Sequence, residues 1–94
     1  MNQKLVDEFS KKLKALDENL TCEVLENETT ENKAILIKYK SGIVFALVDG
    51  DGVPSIIIDN PRLVNKDEAF VFGNLLKLCG EYLDAFFGGD EHDN

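Results

Sequence analysis

Residues 65–88 read NKDEAFVFGNLLKLCGEYLDAFFG, and this stretch decides the fold because it is the longest helix candidate in the chain. The Asn65 side chain can accept a hydrogen bond from an early backbone N–H, while Glu68, three residues on, reaches back to the cap. Gly88 and Gly89 can end the helix, since glycine readily takes the left-handed conformation at that position. The sequence therefore predicts one long helix with defined ends.

Apolar side chains cover about half of the circumference of this helix when each residue is turned by about 100°. A surface helix normally shows an apolar stripe of about 100° or slightly more, so we expect this helix to be covered on two sides. Gly73 and Gly80 lie at one edge of the arc, where they would let another backbone approach closely. The arc residues that we predict to form a protein interface are Phe72, Leu75, Leu76, Cys79, Tyr82, Leu83 and Phe86.

The segments upstream of this helix predict one further helix and a small sheet. Residues 3–20 carry apolar side chains at intervals of three and four, which is the helical pattern. The strand candidates are 21–26, 34–40, 43–48 and 53–58, of which the first is the weakest. The predicted fold class is α+β: an antiparallel three- to four-stranded meander flanked by an N-terminal helix and a long C-terminal helix, in the order α-β-β-β-β-α.

The central hairpin has apolar residues on both of its predicted faces. Ser41-Gly42 has the length of a two-residue hairpin loop, with Gly42 to take a positive φ. That loop would set Lys40 opposite Ile43, Lys38 opposite Phe45 and Leu36 opposite Leu47. In a sheet with one solvated face, apolar and polar residues alternate more regularly along each strand. Either one helix covers each sheet face in a three-layer monomer, or the excess apolar surface is an interface, on the last helix or on an uncovered sheet face.

The length of 94 residues predicts a single domain, residues 1–89, followed by a disordered acidic tail at residues 90–94. No apolar run approaches the roughly 18 to 20 residues of a membrane span. The first residues do not lead into the apolar core of a signal peptide. We therefore expect a cytoplasmic protein with no membrane partner.

The net charge of −8 is unevenly distributed. Residues 90–93 contain three acidic side chains and no lysine or arginine, and a second acidic run spans residues 23–31. Nucleic acids and anionic lipids favour basic patches, so this balance argues against direct binding to either.

No group of residues predicts a catalytic, cofactor or metal site. Asp49-Gly50-Asp51-Gly52 begins like a calcium loop, but Val53 fills the fifth position, which needs an oxygen ligand, and Asn60 fills the twelfth, which needs a glutamate. A hairpin turn is therefore the better interpretation. A pocket lined by Asp49, Asp59 and Arg62 would be the minimum requirement for an enzyme.

The two cysteines, Cys22 and Cys79, are far apart in the sequence, and the single histidine, His92, lies in the tail. These three residues define neither a zinc set nor a nucleophile with its base. We predict that the chain is not an enzyme and has no cofactor.

Two functional hypotheses remain. The first is a small protein–protein interaction module, an adaptor, chaperone-like or regulatory protein, with itself as partner in a homodimer. The alternative is an acidic nucleic-acid mimic that inhibits a basic nucleic-acid-binding protein, as a phage-encoded counter-defence protein would. Salt separates them, because binding by charge mimicry weakens steeply with ionic strength and an apolar interface changes little.

Overall fold

The computed structural model describes residues 2–27, 32–50, 53–58 and 64–87, which form two helices and one four-stranded sheet. Each strand pairs antiparallel with its neighbour in sequence, so the sheet is a β1-β2-β3-β4 meander. The predicted α+β class and the α-β-β-β-β-α order are confirmed. The predicted tail at 90–94 lies outside the described residues. The elements are α1 (Gln3–Leu16), β1 (Leu20–Asn27), β2 (Asn32–Tyr39), β3 (Gly42–Gly50), β4 (Val53–Ile58) and α2 (Lys66–Phe87).

Helix α1 ends four residues earlier than predicted. Asp17 is extended, with φ −165°, and its carboxylate accepts a 2.8 Å hydrogen bond from the backbone N–H of Asn19. This local bond competes with the helical ladder and turns the chain into β1. Leu20, which the sequence placed on the helical stripe, is instead the first residue of β1 and is fully buried. Its spacing from Leu16 mimics a helix because both residues contact one core.

The start of α2 is the predicted capping box. The backbone N–H of Glu68 donates to the Asn65 side-chain oxygen at 2.8 Å, and the Asn65 N–H donates to the Glu68 carboxylate at 3.4 Å. This reciprocal pair satisfies two backbone donors that the first turn leaves without helical partners. The predicted C-terminal glycines lie outside the described residues.

The β2–β3 hairpin differs from the predicted register. Its loop is Lys40-Ser41, with φ of 53° and 73°, and Gly42 pairs with Tyr39 as the first residue of β3. Both loop residues need positive φ because that twist matches the strands of a two-residue hairpin. This loop alone would set Leu36 opposite Phe45, and a further one-residue shift in β3 sets it opposite Ala46 rather than the predicted Leu47.

A β-bulge restores the alternation in this hairpin. Ile37 pairs with Phe45 while Lys38 pairs with Ile43, so Val44 is the extra residue. Val44 and Phe45 are both buried. In a regular strand with one covered face, successive side chains point to opposite faces and only one of the two would be buried.

Both helices pack on the same face of the sheet. The three-layer alternative, with one helix on each face, is therefore wrong. The Phe86 and Phe9 rings form a T-shaped pair with a centroid distance of 5.3 Å, which joins α2 to α1 above the sheet. The buried residues form one cluster: Val6, Phe9 and Leu13 from α1, Leu20, Ile35, Ile37, Tyr39, Val44, Phe45 and Leu47 from the sheet, and Leu75, Leu78, Cys79, Tyr82 and Phe86 from α2.

Candidate interaction surface

The second face of the sheet, which we call the open face, is formed by the side chains that alternate with those of the core. Strand pairing places Glu23, Leu36, Ala46 and Ile57 in one row across the sheet, and Leu25, Ala34, Val48 and Ser55 in the next. Eight of its twelve residues are apolar, so this face does not have the polar character of a solvated sheet surface. The full set is Thr21, Glu23, Leu25, Ala34, Leu36, Lys38, Ile43, Ala46, Val48, Val53, Ser55 and Ile57.

Apolar side chains of the open face are exposed to solvent. The exposed fractions are 44% for Leu25, 41% for Ile43, 63% for Val53 and 53% for Ile57. No described helix or strand packs on this side, because α1 and α2 both lie on the other. Contiguous exposed apolar surface of this kind commonly marks an interaction site.

The open face has no net charge. Its charged residues are Glu23 and Lys38, whose side chains form an ion pair with 2.8 Å between Lys38 Nζ and Glu23 Oε1. The described residues together contain nine lysines and eleven acidic side chains, a net charge of −2 against −8 for the whole chain. Most of the negative charge therefore belongs to residues outside the described ranges, and the open face is a neutral apolar platform.

The predicted interface residues of α2 lie mostly in the core. Leu75, Cys79, Tyr82 and Phe86 are buried, Phe72 and Leu83 are partly buried against the core, and Leu76 is 41% exposed.

The half-circle arc of α2 is covered on two sides within one chain, as its width indicated. On one side the Phe72 ring meets Tyr39 of the sheet edge-on at 5.2 Å. On the other side the Tyr82 ring lies 5.1 Å from Phe9 of α1. Association of two chains through α2 stays a prediction, and among its predicted residues Leu76 offers the most exposed side chain.

The two helix glycines are not explained by close packing inside the chain. A side-chain carbon placed on Gly73 or Gly80 would meet no heavy atom within 4 Å from elsewhere in the described structure. The close backbone approach expected there does not occur within the described residues.

A polar contact joins the two helices at the rim of the core. The Tyr82 hydroxyl donates a 2.6 Å hydrogen bond to Glu8 Oε2, and Lys12 Nζ lies 5.2 Å from the centre of the Tyr82 ring. Partial desolvation and then the hydrogen bond to Glu8 raise the pKa of Tyr82, while interaction with the Tyr82 hydroxyl raises that of Lys12. At neutral pH Tyr82 is therefore protonated and Lys12 is charged. These states suit a structural link between the helices rather than a pair of groups for acid–base catalysis.

A groove of about 340 Å³ lies beside this contact, between α1 and α2. Its floor is apolar and two lysines and one glutamate stand along it, so it differs from the open face in having charged walls. The lining residues are Lys12, Ala15, Leu16, Asn74, Lys77, Leu78 and Glu81.

Neither cysteine is activated as a nucleophile. Burial raises the pKa of the Cys79 thiol to about 12, and burial also raises the pKa of Cys22. A raised pKa keeps the thiol protonated and therefore unreactive at neutral pH.

The described part of the chain contains no group of three histidine, cysteine or acidic side chains arranged to hold a metal ion. Among the residues that an enzyme site would have required, Asp59 and Arg62 lie outside the described ranges, as does His92. None of the described helices is both long and apolar enough to cross a membrane.

Comparisons with known protein families, with curated proteins and with solved structures found no match to this chain. The sequence predicts interface residues only on α2. It leaves an uncovered sheet face as the alternative, on the signal of the apolar residues on both sides of the β2–β3 hairpin, without specifying the residues of that face.

Proposed function

We propose that this chain is a small protein–protein interaction module, an adaptor, chaperone-like or regulatory protein, whose contact surface is the open face of the sheet. The single observation that carries the proposal is the apolar face of the sheet, opposite both helices, that no described helix or strand covers. A protein partner with a matching apolar surface would remove these side chains from water.

The size of the open face is sufficient for recognition. Four strands about 4.8 Å apart, each contributing about five residues of 3.3 Å, give a footprint of about 320 Å². Patches of roughly 300–600 Å² are the largest found on typical monomers and are often functional. About two-thirds of this footprint is apolar, so at about 25 cal/mol per Å² its complete burial contributes about 5 kcal/mol before the entropic cost of association.

The acidic nucleic-acid mimic has less support. A mimic needs a continuous negative surface to replace the phosphate backbone. In the described residues the lysines nearly balance the acidic side chains, and Glu23 of the open face is already paired with Lys38.

The proposal is tested by site-specific photocrosslinking in the native cell. A photoreactive phenylalanine analogue at Ile57, on the exposed edge of the open face, should give a protein adduct. The matched control carries the same analogue at Lys11, an exposed position of α1 on the far side of the molecule. Circular dichroism establishes that both variants are folded. Equal adduct yields from the two positions, or no adduct from Ile57, would contradict the proposal.

A further inference from the structure

We infer that the occupant of the open face is a second copy of this chain, packed face to face about a two-fold axis that lies between the two sheets. This inference rests on the proposed function and names the partner. It makes the assembly a β-sandwich with helices α1 and α2 of each copy on the outside.

The four side chains at the centre of the open face are two large and two small ones, and they alternate around a square. Leu36 stands beside Ala46 in one row, and Ala34 stands beside Val48 in the next. The two large side chains therefore lie on one diagonal of this central square and the two alanines lie on the other. Alternation of this kind is what lets the inner faces of two sheets interdigitate at a separation of about 10 Å.

Two-fold symmetry brings each large side chain over a small one. An axis along the strands exchanges the positions of β2 and β3, so Leu36 lies over the partner's Ala46 and Val48 over the partner's Ala34. An axis across the strands exchanges the two rows, so Leu36 lies over the partner's Ala34 and Val48 over the partner's Ala46. A two-fold interface must be complementary to itself, and the central square satisfies that condition with either axis.

The charge distribution also favours a second copy over a basic partner. The open face is neutral because Lys38 pairs with Glu23. Two copies can meet there without like-charge repulsion at the contact, despite the net charge of −8 on each chain. The open face has no net negative charge that would complement a basic partner.

The area is adequate for a specific dimer. Projecting side chains have more accessible area than their footprint, so two open faces bury on the order of 1,000 Å² in total, which is about the minimum for a biological interface. Interfaces of this size are typically weak or transient, so we expect a dissociation constant in the micromolar range.

The decisive experiment is sedimentation equilibrium of the full chain over a wide concentration range. The wild type should approach twice the chain mass of 10.5 kDa. Ala46→Leu fills one of the small positions that receives a large side chain, and should raise the dissociation constant at least tenfold. Leu36→Ala removes the large side chain itself and should weaken the dimer as well. The matched control Ala85→Leu makes the same change as Ala46→Leu at an exposed position of α2 and should leave the mass unchanged.

A wild type that stays monomeric at every concentration would overturn self-pairing, and so would a dimer that Ala46→Leu does not weaken. The crosslinking experiment at Ile57 shows whether self-pairing alone is wrong or whether the proposed function is wrong as well. An adduct of twice the chain mass supports the second copy as partner. An adduct of another mass, formed by a monomer, overturns self-pairing while the interaction module stands, and the absence of any adduct overturns both.

Discussion

The Tyr82 hydroxyl donates a 2.6 Å hydrogen bond to the Glu8 carboxylate, which joins α2 to α1 across 74 positions of the sequence. The Tyr82 ring also packs against Phe9 of α1, with 5.1 Å between the ring centroids. Both helices lie on one face of the sheet, and these contacts hold them together there. The link between Tyr82 and Glu8 therefore helps to leave the opposite face open.

Replacing Tyr82 with phenylalanine should lower the free energy of unfolding by about 1–2 kcal/mol, because a hydrogen bond to a carboxylate is lost while the ring packing is kept. Glu8→Gln retains an acceptor oxygen and should cost less. Urea denaturation measures both values. An unchanged midpoint for Tyr82→Phe would show that solvent replaces the bond at no cost.

Stability should fall with pH above 9 because of Cys79. Burial raises the pKa of this thiol from 9.0 to about 12, so the unfolded chain loses the proton first. The stabilisation is complete below pH 9 and is lost as pH rises towards 12, at about 1.4 kcal/mol per pH unit. Urea denaturation at several pH values should give a steeper decline for the wild type than for Cys79→Ala, and equal slopes would contradict the assignment.

Ser41→Gly should raise the free energy of unfolding by about 1 kcal/mol, because Ser41 has a φ of 73° that costs an L-residue energy and a glycine little. Ser10→Gly, in the middle of α1, serves as the matched control and should lower it by about 0.5 kcal/mol, the difference in helix propensity between serine and glycine. Thermal unfolding compares the two variants. A destabilised Ser41→Gly would mean that chain entropy outweighs the relief of strain.

Lys38→Glu should weaken self-association, since it leaves two negative charges on each open face where the wild type has a neutral pair. Added salt should restore part of the affinity by screening the repulsion. Lys11→Glu makes the same charge change on the exposed surface of α1 and should have little effect. Sedimentation at low and high salt provides the measurement, and a Lys38→Glu dimer as tight as the wild type at low salt would argue against contact through this face.

The variant Leu76→Glu tests whether two chains associate through α2 or through the open face. Leu76 is exposed on α2, so the variant should fold, and if the dimer forms through the open face its mass should not change. Light scattering behind a sizing column measures that mass. Dissociation of Leu76→Glu would instead place the contact on α2.

The elements whose signals are local were predictable from the sequence. The Asn65–Glu68 capping box depends on four consecutive residues, and β4 occupies the predicted residues 53–58 because its neighbours are turn formers. The register of β2 and β3 was not predictable, because Lys40 and Ser41 take positive φ although neither is a residue type that favours it. Tertiary pairing of the strands overrides that local preference.

The sequence by itself determined the α+β class, the order of the elements and the excess of apolar surface, since periodicity and capping depend on neighbours along the chain. The tertiary structure alone decided where that excess lies. Packing of Tyr82 and Phe86 against Phe9 removes the arc of α2 from the surface and places both helices on one side of the sheet. The apolar face that contains Leu36 and Val48 is left open because contacts between residues more than 70 positions apart choose which face is covered, and no local pattern records that choice.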